Sequence, residues 1–146
     1  MTESEIKLAL EKVLRRVQER RVLKRYLAGA IKRLEADVIA YNVDDTSKEK
    51  PDVPGITDWD EYWKFYVRKK LTNEKCACCG CSLDASNRVG AHIRLDGERD
   101  NTKDAWIALL CKSCNGLTNP LTLHKDSWIV RTTMSVPHKN VQPKKG

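Results

Sequence analysis

The hexapeptide Cys76-Ala77-Cys78-Cys79-Gly80-Cys81, with 31 residues between Cys79 and the later Cys111-Lys112-Ser113-Cys114, decides how the chain is read. All six cysteines fall in these two clusters. Disulfides are the poorer explanation: the amino terminus turns charged at Glu3, Glu5 and Lys7 with no apolar signal segment, and thiols two or three residues apart suit a metal better. Two Cys-x-x-Cys pairs at this separation predict a structural zinc site of four thiolates, one ion per chain, with each pair supplying two ligands from a tight turn. Zinc is preferred over an iron–sulfur cluster because each pair sits in a knuckle-like context. The first pair has two registers of identical spacing, Cys76/Cys79 and Cys78/Cys81. Cys76 and Cys79 are favoured as partners of Cys111 and Cys114, because Gly80 then follows the second ligand, where the turn often needs positive φ and room for amides near sulfur. Cys78 and Cys81 are then spare thiols with a packing or tuning role.

Between the pairs, Arg88–Arg94 and Ala105–Leu110 are strand-like apolar runs joined by the turn-rich segment 96–101. Knuckle, hairpin and second knuckle, with a short helix limited by Gly116 and Pro120, make a treble-clef-like zinc module over 73–136. Alternation of Trp128, Val130 and Thr132 adds a strand between Ser127 and Val136, and 137–146 reads as a basic flexible tail.

Upstream, residues 3 to about 41 carry no proline and read as a long helix, with Thr2 and Glu5 forming a capping box. At ~1.5 Å per residue such a helix would approach 60 Å, so it breaks near 18–22 or pairs with another chain. Residues 1–42 form a basic helical region with Arg15, Arg16, Arg20, Arg21, Lys24, Arg25, Lys32 and Arg33 as a cationic ridge. A connector rich in turn formers covers 43–57. Helix is expected again over 58–72, opening on Thr57 and Asp60. Its stripe of Trp59, Tyr62, Trp63 and Tyr66 is core, packed against the amino-terminal helix and the zinc module. The fold class is therefore α+β.

Val89-Gly90-Ala91-His92-Ile93, taken with Trp106-Ile107-Ala108-Leu109-Leu110-Cys111-Lys112-Ser113-Cys114-Asn115, resembles the zinc-bearing form of the HNH endonuclease superfamily over roughly residues 74–120. Small bacterial and phage proteins carry the same Gly-Ala-His and Leu-Cys-x-x-Cys-Asn signature. The resemblance implies a structural zinc separate from the chemistry, His92 as general base and Asn115 as a ligand of a catalytic Mg²⁺ or Mn²⁺. Ala91 stands where the family has Asp or His, and Trp106 where it has an orienting Asn. A hard cation needs several oxygen or imidazole donors, and the substitutes Asp96, Asp104 and His124 are off the family's spacing. His138 lies in turn-like sequence and is assigned no role.

The chain has 27 basic and 20 acidic side chains, a formal charge of +7, carried at its two ends. That excess points to a nucleic acid or a nucleoprotein complex. The length excludes two full-sized enzymatic lobes, and the lack of a long apolar run excludes a spanning helix and any membrane partner, with a cytoplasmic, intracellular location by default. The leading expectation is a non-catalytic zinc module binding nucleic acid. Its alternatives are an HNH-type endonuclease using His92, and a protein-binding inhibitor or adaptor, such as a phage anti-defence protein, acting through the amino-terminal helix.

Overall fold

The computed structural model describes residues 2–12, 15, 31–69, 71 and 74–142. The chain divides into two compact units, Met1–Ala30 and Ile31–Gly146. In the first, residues 3–12 are helical. Thr2 starts them as expected, its hydroxyl accepting the Glu5 backbone N–H at 3.2 Å. The break or pairing expected near 18–22 lies outside the described residues.

The second unit is mixed α+β. Six strands form one curled antiparallel sheet in the order β1-β6-β4-β3-β2-β5. They are β1 (Ile31–Arg33), β2 (Val38–Asn42), β3 (Arg88–Leu95), β4 (Thr102–Cys111), β5 (Leu121–Leu123) and β6 (Trp128–His138). Two helices, α1 (Trp59–Val67) and α2 (Lys112–Asn115), complete it. The hairpin expected between the cysteine pairs is β3–β4, and the strand expected after Ser127 is β6.

Three expectations fail. Residues 31–42 are two strands and not the end of a helix. Ile31, Val38, Ile39 and Tyr41 suit pleated backbone, and β2 pairs with β3 and β5, so tertiary pairing overrides helical propensity. The aromatic helix is shorter than 58–72: it opens on Asp58, in extended conformation, and stops where Arg68 turns left-handed at φ 59°. Residues 137–142 are not a loose tail. β6 continues to His138, Val43 bridges Asn140, and the Val141 N–H reaches the Asn42 carbonyl at 2.8 Å.

Helix α1 packs on β3, β4 and β6. Tyr62 and Trp63 bury their rings and keep their polar tips bonded, the Tyr62 hydroxyl to the Arg131 carbonyl at 2.8 Å and Trp63 Nε1 to the Trp128 carbonyl at 2.8 Å. Phe65, on the other face, is exposed. The helix start sits so close to β3 that a Cβ on Gly90 would lie 2.2 Å from the Trp59 backbone carbon. Arg88 locks the same end, bonding Asp60 at 2.9 Å.

Candidate metal centre and the buried histidine

The cysteine centre is assembled from two short turns held to the end of the hairpin. A bridge between Lys75 and Ser82 closes the base of the first turn, and Ala77 donates its N–H to the Leu109 carbonyl at 2.9 Å, tying that turn to β4. Gly80 takes φ +77°, as the favoured register requires. The second turn is the start of α2, whose N-cap is Cys111 itself.

One ligand sulfur each from Cys76, Cys79, Cys111 and Cys114 lies within 4.8 Å of all the others. The Sγ atoms of Cys79 and Cys111 are 3.8 Å apart, the edge of a tetrahedron with metal–sulfur bonds of ~2.3 Å. Backbone N–H groups already point at these sulfurs: Cys111 N to Cys76 Sγ at 3.3 Å, and Cys114 N to Cys111 Sγ at 3.4 Å. Burial pushes the Cys114 thiol up, so its thiolate needs a nearby cation. Cys79 is exposed and is pulled down, by a backbone hydrogen bond from Cys81 before all else. The neighbouring Cys81 thiol is pushed up to about 12 through its hydrogen bond with Cys79. The donor set fits a metal ion such as zinc, and Cys76 and Cys79 are the members of the first cluster that join it.

Asn42 escaped the sequence reading. From β2 its buried amide donates to the Cys114 carbonyl at 3.0 Å and the Leu117 carbonyl at 2.9 Å, bracing the second turn from the sheet side. No spacing links residue 42 to residue 114; only the strand order does.

His92 and Asn115 have different fates. Asn115 is exposed on α2. His92 is 5% exposed, and its ring meets that of Trp59 edge-on at 4.5 Å. Burial lowers it to about 4, so it is neutral near neutrality. Ala91 is also buried. Trp106 donates Nε1 to both Glu98 oxygens at 3.1 and 3.0 Å and packs under the Arg131 guanidinium. The substitutes have other partners: Asp96 accepts from the Tyr41 hydroxyl, Asp104 pairs with Arg131, and His124 lies exposed in the groove beside Cys76.

No family model, no curated protein and no solved structure matches this chain. Its own geometry therefore carries the functional argument.

Of the cationic side chains, Arg15 is exposed in the helical segment, whereas Arg16, Arg20, Arg21, Lys24 and Arg25 lie outside the described residues. Lys32 and Arg33 are exposed on strand β1, with Arg33 paired to Asp126 at 3.2 Å, so they do not extend a helical ridge. None of the described helices is long and apolar enough to cross a membrane.

Proposed function

We propose that the chain is an HNH-like zinc module that binds nucleic acid, or a nucleoprotein complex, without cutting it. The observation that carries this reading is the sealing of His92 beneath Trp59. A general base must reach the proton it removes, and an imidazole held by an aromatic ring and a tight helix–strand contact does not reach water on a substrate. The four cysteines act as a treble-clef-like staple of the fold, with zinc as the ion.

Binding then falls to charge. Residues 1–30 hold eight basic and four acidic side chains, and residues 31–146 hold 19 and 16. Four thiolates on a divalent ion subtract about two charges from the second unit, which leaves the first as the main cationic segment. Phosphate contacts made by such a segment release counterions and give sequence-independent, salt-sensitive affinity.

Duplex and single-stranded oligonucleotides titrated at two salt concentrations test this. Binding that weakens steeply with salt, and weakens again when Arg15, Arg16, Arg20 and Arg21 are changed to Gln, supports it. No binding at low salt overturns it in favour of a protein partner. Cleavage with Mg²⁺ or Mn²⁺ that vanishes in His92→Ala would replace it with the nuclease.

A further inference from the structure

Two groups of charged side chains lie outside the cysteine centre. In one, Glu49, from the connector and 6% exposed, accepts the Ser135 hydroxyl at 2.6 Å and lies 3.8 Å from His138 Nε2, with His92 buried on β3 within electrostatic reach. That group closes on itself as an ion pair with its own hydrogen bonds. The other surrounds the groove beside Cys76, an open cleft of about 500 Å³. Three separate segments wall this groove, and each brings an exposed lysine: Lys69 just past the end of α1, Lys75 in the first cysteine turn and Lys125 in the loop between β5 and β6. Hydrogen bonds hold the walls together whatever the lysine side chains do. His124 donates its N–H to the Ala77 carbonyl at 2.8 Å, and Lys125 donates its own to Asp37 Oδ1 at 2.7 Å. Glu74 and Asp126 also line the groove, but Asp126 is paired with Arg33 at 3.2 Å. With Arg33 counted, four basic side chains meet two acidic ones, so the groove favours an anion.

Its floor favours a planar ring. Trp128 is half-buried: it packs against the core and also lines the groove. Among the described residues it is the one tryptophan whose Nε1–H has no hydrogen-bond partner, since Trp59, Trp63 and Trp106 donate theirs to the Glu49 carbonyl, the Trp128 carbonyl and the Glu98 carboxylate. An indole that is partly withdrawn from water ordinarily finds such a partner. Lys69 holds its ammonium 6.0 Å from the Trp128 ring centre, the outer limit of a cation–π contact, and so sets positive charge beside the ring.

We infer that the groove binds an unpaired nucleotide of a single-stranded nucleic acid, its base stacked on Trp128 and its flanking phosphates on Lys69, Lys75 and Lys125. An aromatic platform ringed by cations holds single strands without reading their sequence. Bases inside a duplex are stacked on one another and offer Trp128 no face. Lysines from three segments suit phosphates at successive positions of a strand, whereas a free nucleotide carries its phosphates at one end. The inference rests on the nucleic-acid reading above and adds to it a contact on the second unit that distinguishes unpaired from paired strands.

Fluorescence titration of the full chain with a single-stranded oligothymidylate, a duplex of equal length and thymidine monophosphate tests it. The single strand should quench tryptophan emission. Trp128→Leu should remove that quench and weaken single-strand binding by ~5- to 150-fold while duplex affinity stays unchanged. Lys75→Gln combined with Lys125→Gln, both on the exposed rim where folding is not at stake, should lower the slope of log affinity against log salt for the single strand by ~1.4, at ~0.7 for each phosphate contact. Circular dichroism reports that each variant still folds. Equal single-strand affinity in the unaltered chain and in both groove variants overturns the inference; if changing Arg15, Arg16, Arg20 and Arg21 to Gln still weakens binding, the amino-terminal contact stands. Single-strand binding that the groove variants weaken and the amino-terminal variant leaves intact supports the groove and overturns the amino-terminal placement instead. Thymidine monophosphate bound as tightly as the oligonucleotide assigns the groove to a free nucleotide and overturns the strand. No binding of any of the three overturns both readings.

Discussion

The cysteine centre and the Glu49–His92–His138 cluster are both buried polar sites served by the β3–β4 hairpin and its neighbours, yet they are built on opposite plans. The cysteine donors come from two turns of four residues each, and each turn makes its own N–H to sulfur contacts. The other cluster takes one side chain each from positions 49, 92 and 138, brought together by the sheet and the connector. A site of the first kind is a cause of the fold. A site of the second kind is its product, and so depends on every contact that positions β3, β6 and the connector.

The largest expected effect breaks the first plan. Cys111→Ser removes a sulfur of the candidate metal centre that also caps α2 and neighbours Cys79 and Cys76 in space. Structural zinc in small domains is worth ~10–16 kcal/mol of apparent folding energy, comparable to the whole stability of an ordinary domain, ~5–15 kcal/mol. The variant should lose both its zinc and its cooperative melting transition, read by metal analysis and circular dichroism. Cys79→Ser should be milder, because Cys79 is exposed and the Cys81 thiol stands beside it as a substitute donor. Equal damage from the two would show that the first turn has only one working register.

Gly90→Ala comes next and strikes the second plan. The new methyl would meet the Trp59 backbone, which cannot swing aside as a side chain does, so α1 must lift from β3. Overpacking typically costs ~1–3 kcal/mol, and backbone obstruction lies at or above the top of that range. Chemical denaturation measures the loss. Near-ultraviolet circular dichroism should show Trp59 leaving His92, while zinc at the cysteines is retained.

This contrast also explains what was legible in the sequence. Cys76, Cys79, Cys111 and Cys114 were readable because spacing and the Gly80 turn are local facts. The hairpin and β6 were readable from apolar alternation. Ile31–Asn42 was misread because its residues are acceptable in a helix until β6 pairs with Ile31–Arg33 and β3 and β5 pair with Val38–Asn42. Glu49 looked like one more charge in a turn-rich connector, and His138 like part of a basic tail. Their burial follows from Trp59 bonding the Glu49 carbonyl and from Asn140 and Val141 fastening the chain after His138. Asn42 was hidden for the same reason.

Acid should separate the two centres further. His92 sits at about 4 against an ordinary 6.5, chiefly through burial. Its folded value is depressed, so the unfolded chain takes up the proton first. Its contribution is complete above about pH 6.5 and drains away between 6.5 and 4, by ~3 kcal/mol. Burial alone would raise the Glu49 carboxyl, but the Ser135 hydrogen bonds and His138 outweigh it and hold it below the ordinary value, so its contribution is lost at lower pH still. Urea melts at several pH values, compared between the unaltered chain and His92→Gln, isolate the upper window. Loss of any metal held by the cysteines is common to both proteins and cancels in the difference. Identical pH slopes would mean that His92 titrates normally.

The smallest expected effect concerns the brace between sheet and metal. In Asn42→Ala the Leu117 carbonyl loses its amide donor, while the Cys114 carbonyl keeps the Leu117 N–H at 3.2 Å. A fully buried acceptor without a partner costs ~1–3 kcal/mol, and Leu117 is an exposed residue whose carbonyl water can reach, so less is lost here. The deleted amide's own oxygen has no hydrogen-bond partner among the described residues, which offsets part of that. The net loss should fall near the lower end and be accompanied by faster removal of zinc by a chelator, since the carbonyl freed lies three residues past Cys114. Asn42→Asp is the sharper variant. It keeps the size, replaces the donor with an acceptor, and turns a negative charge toward two carbonyls, so it should cost more than alanine and release zinc faster. If the two centres are independent, the cost of Asn42→Ala and that of His138→Gln should add to within ~0.5 kcal/mol in the double variant. A larger discrepancy would mean that β2 and β3, which carry Asn42 and His92 on paired strands, transmit strain from one centre to the other.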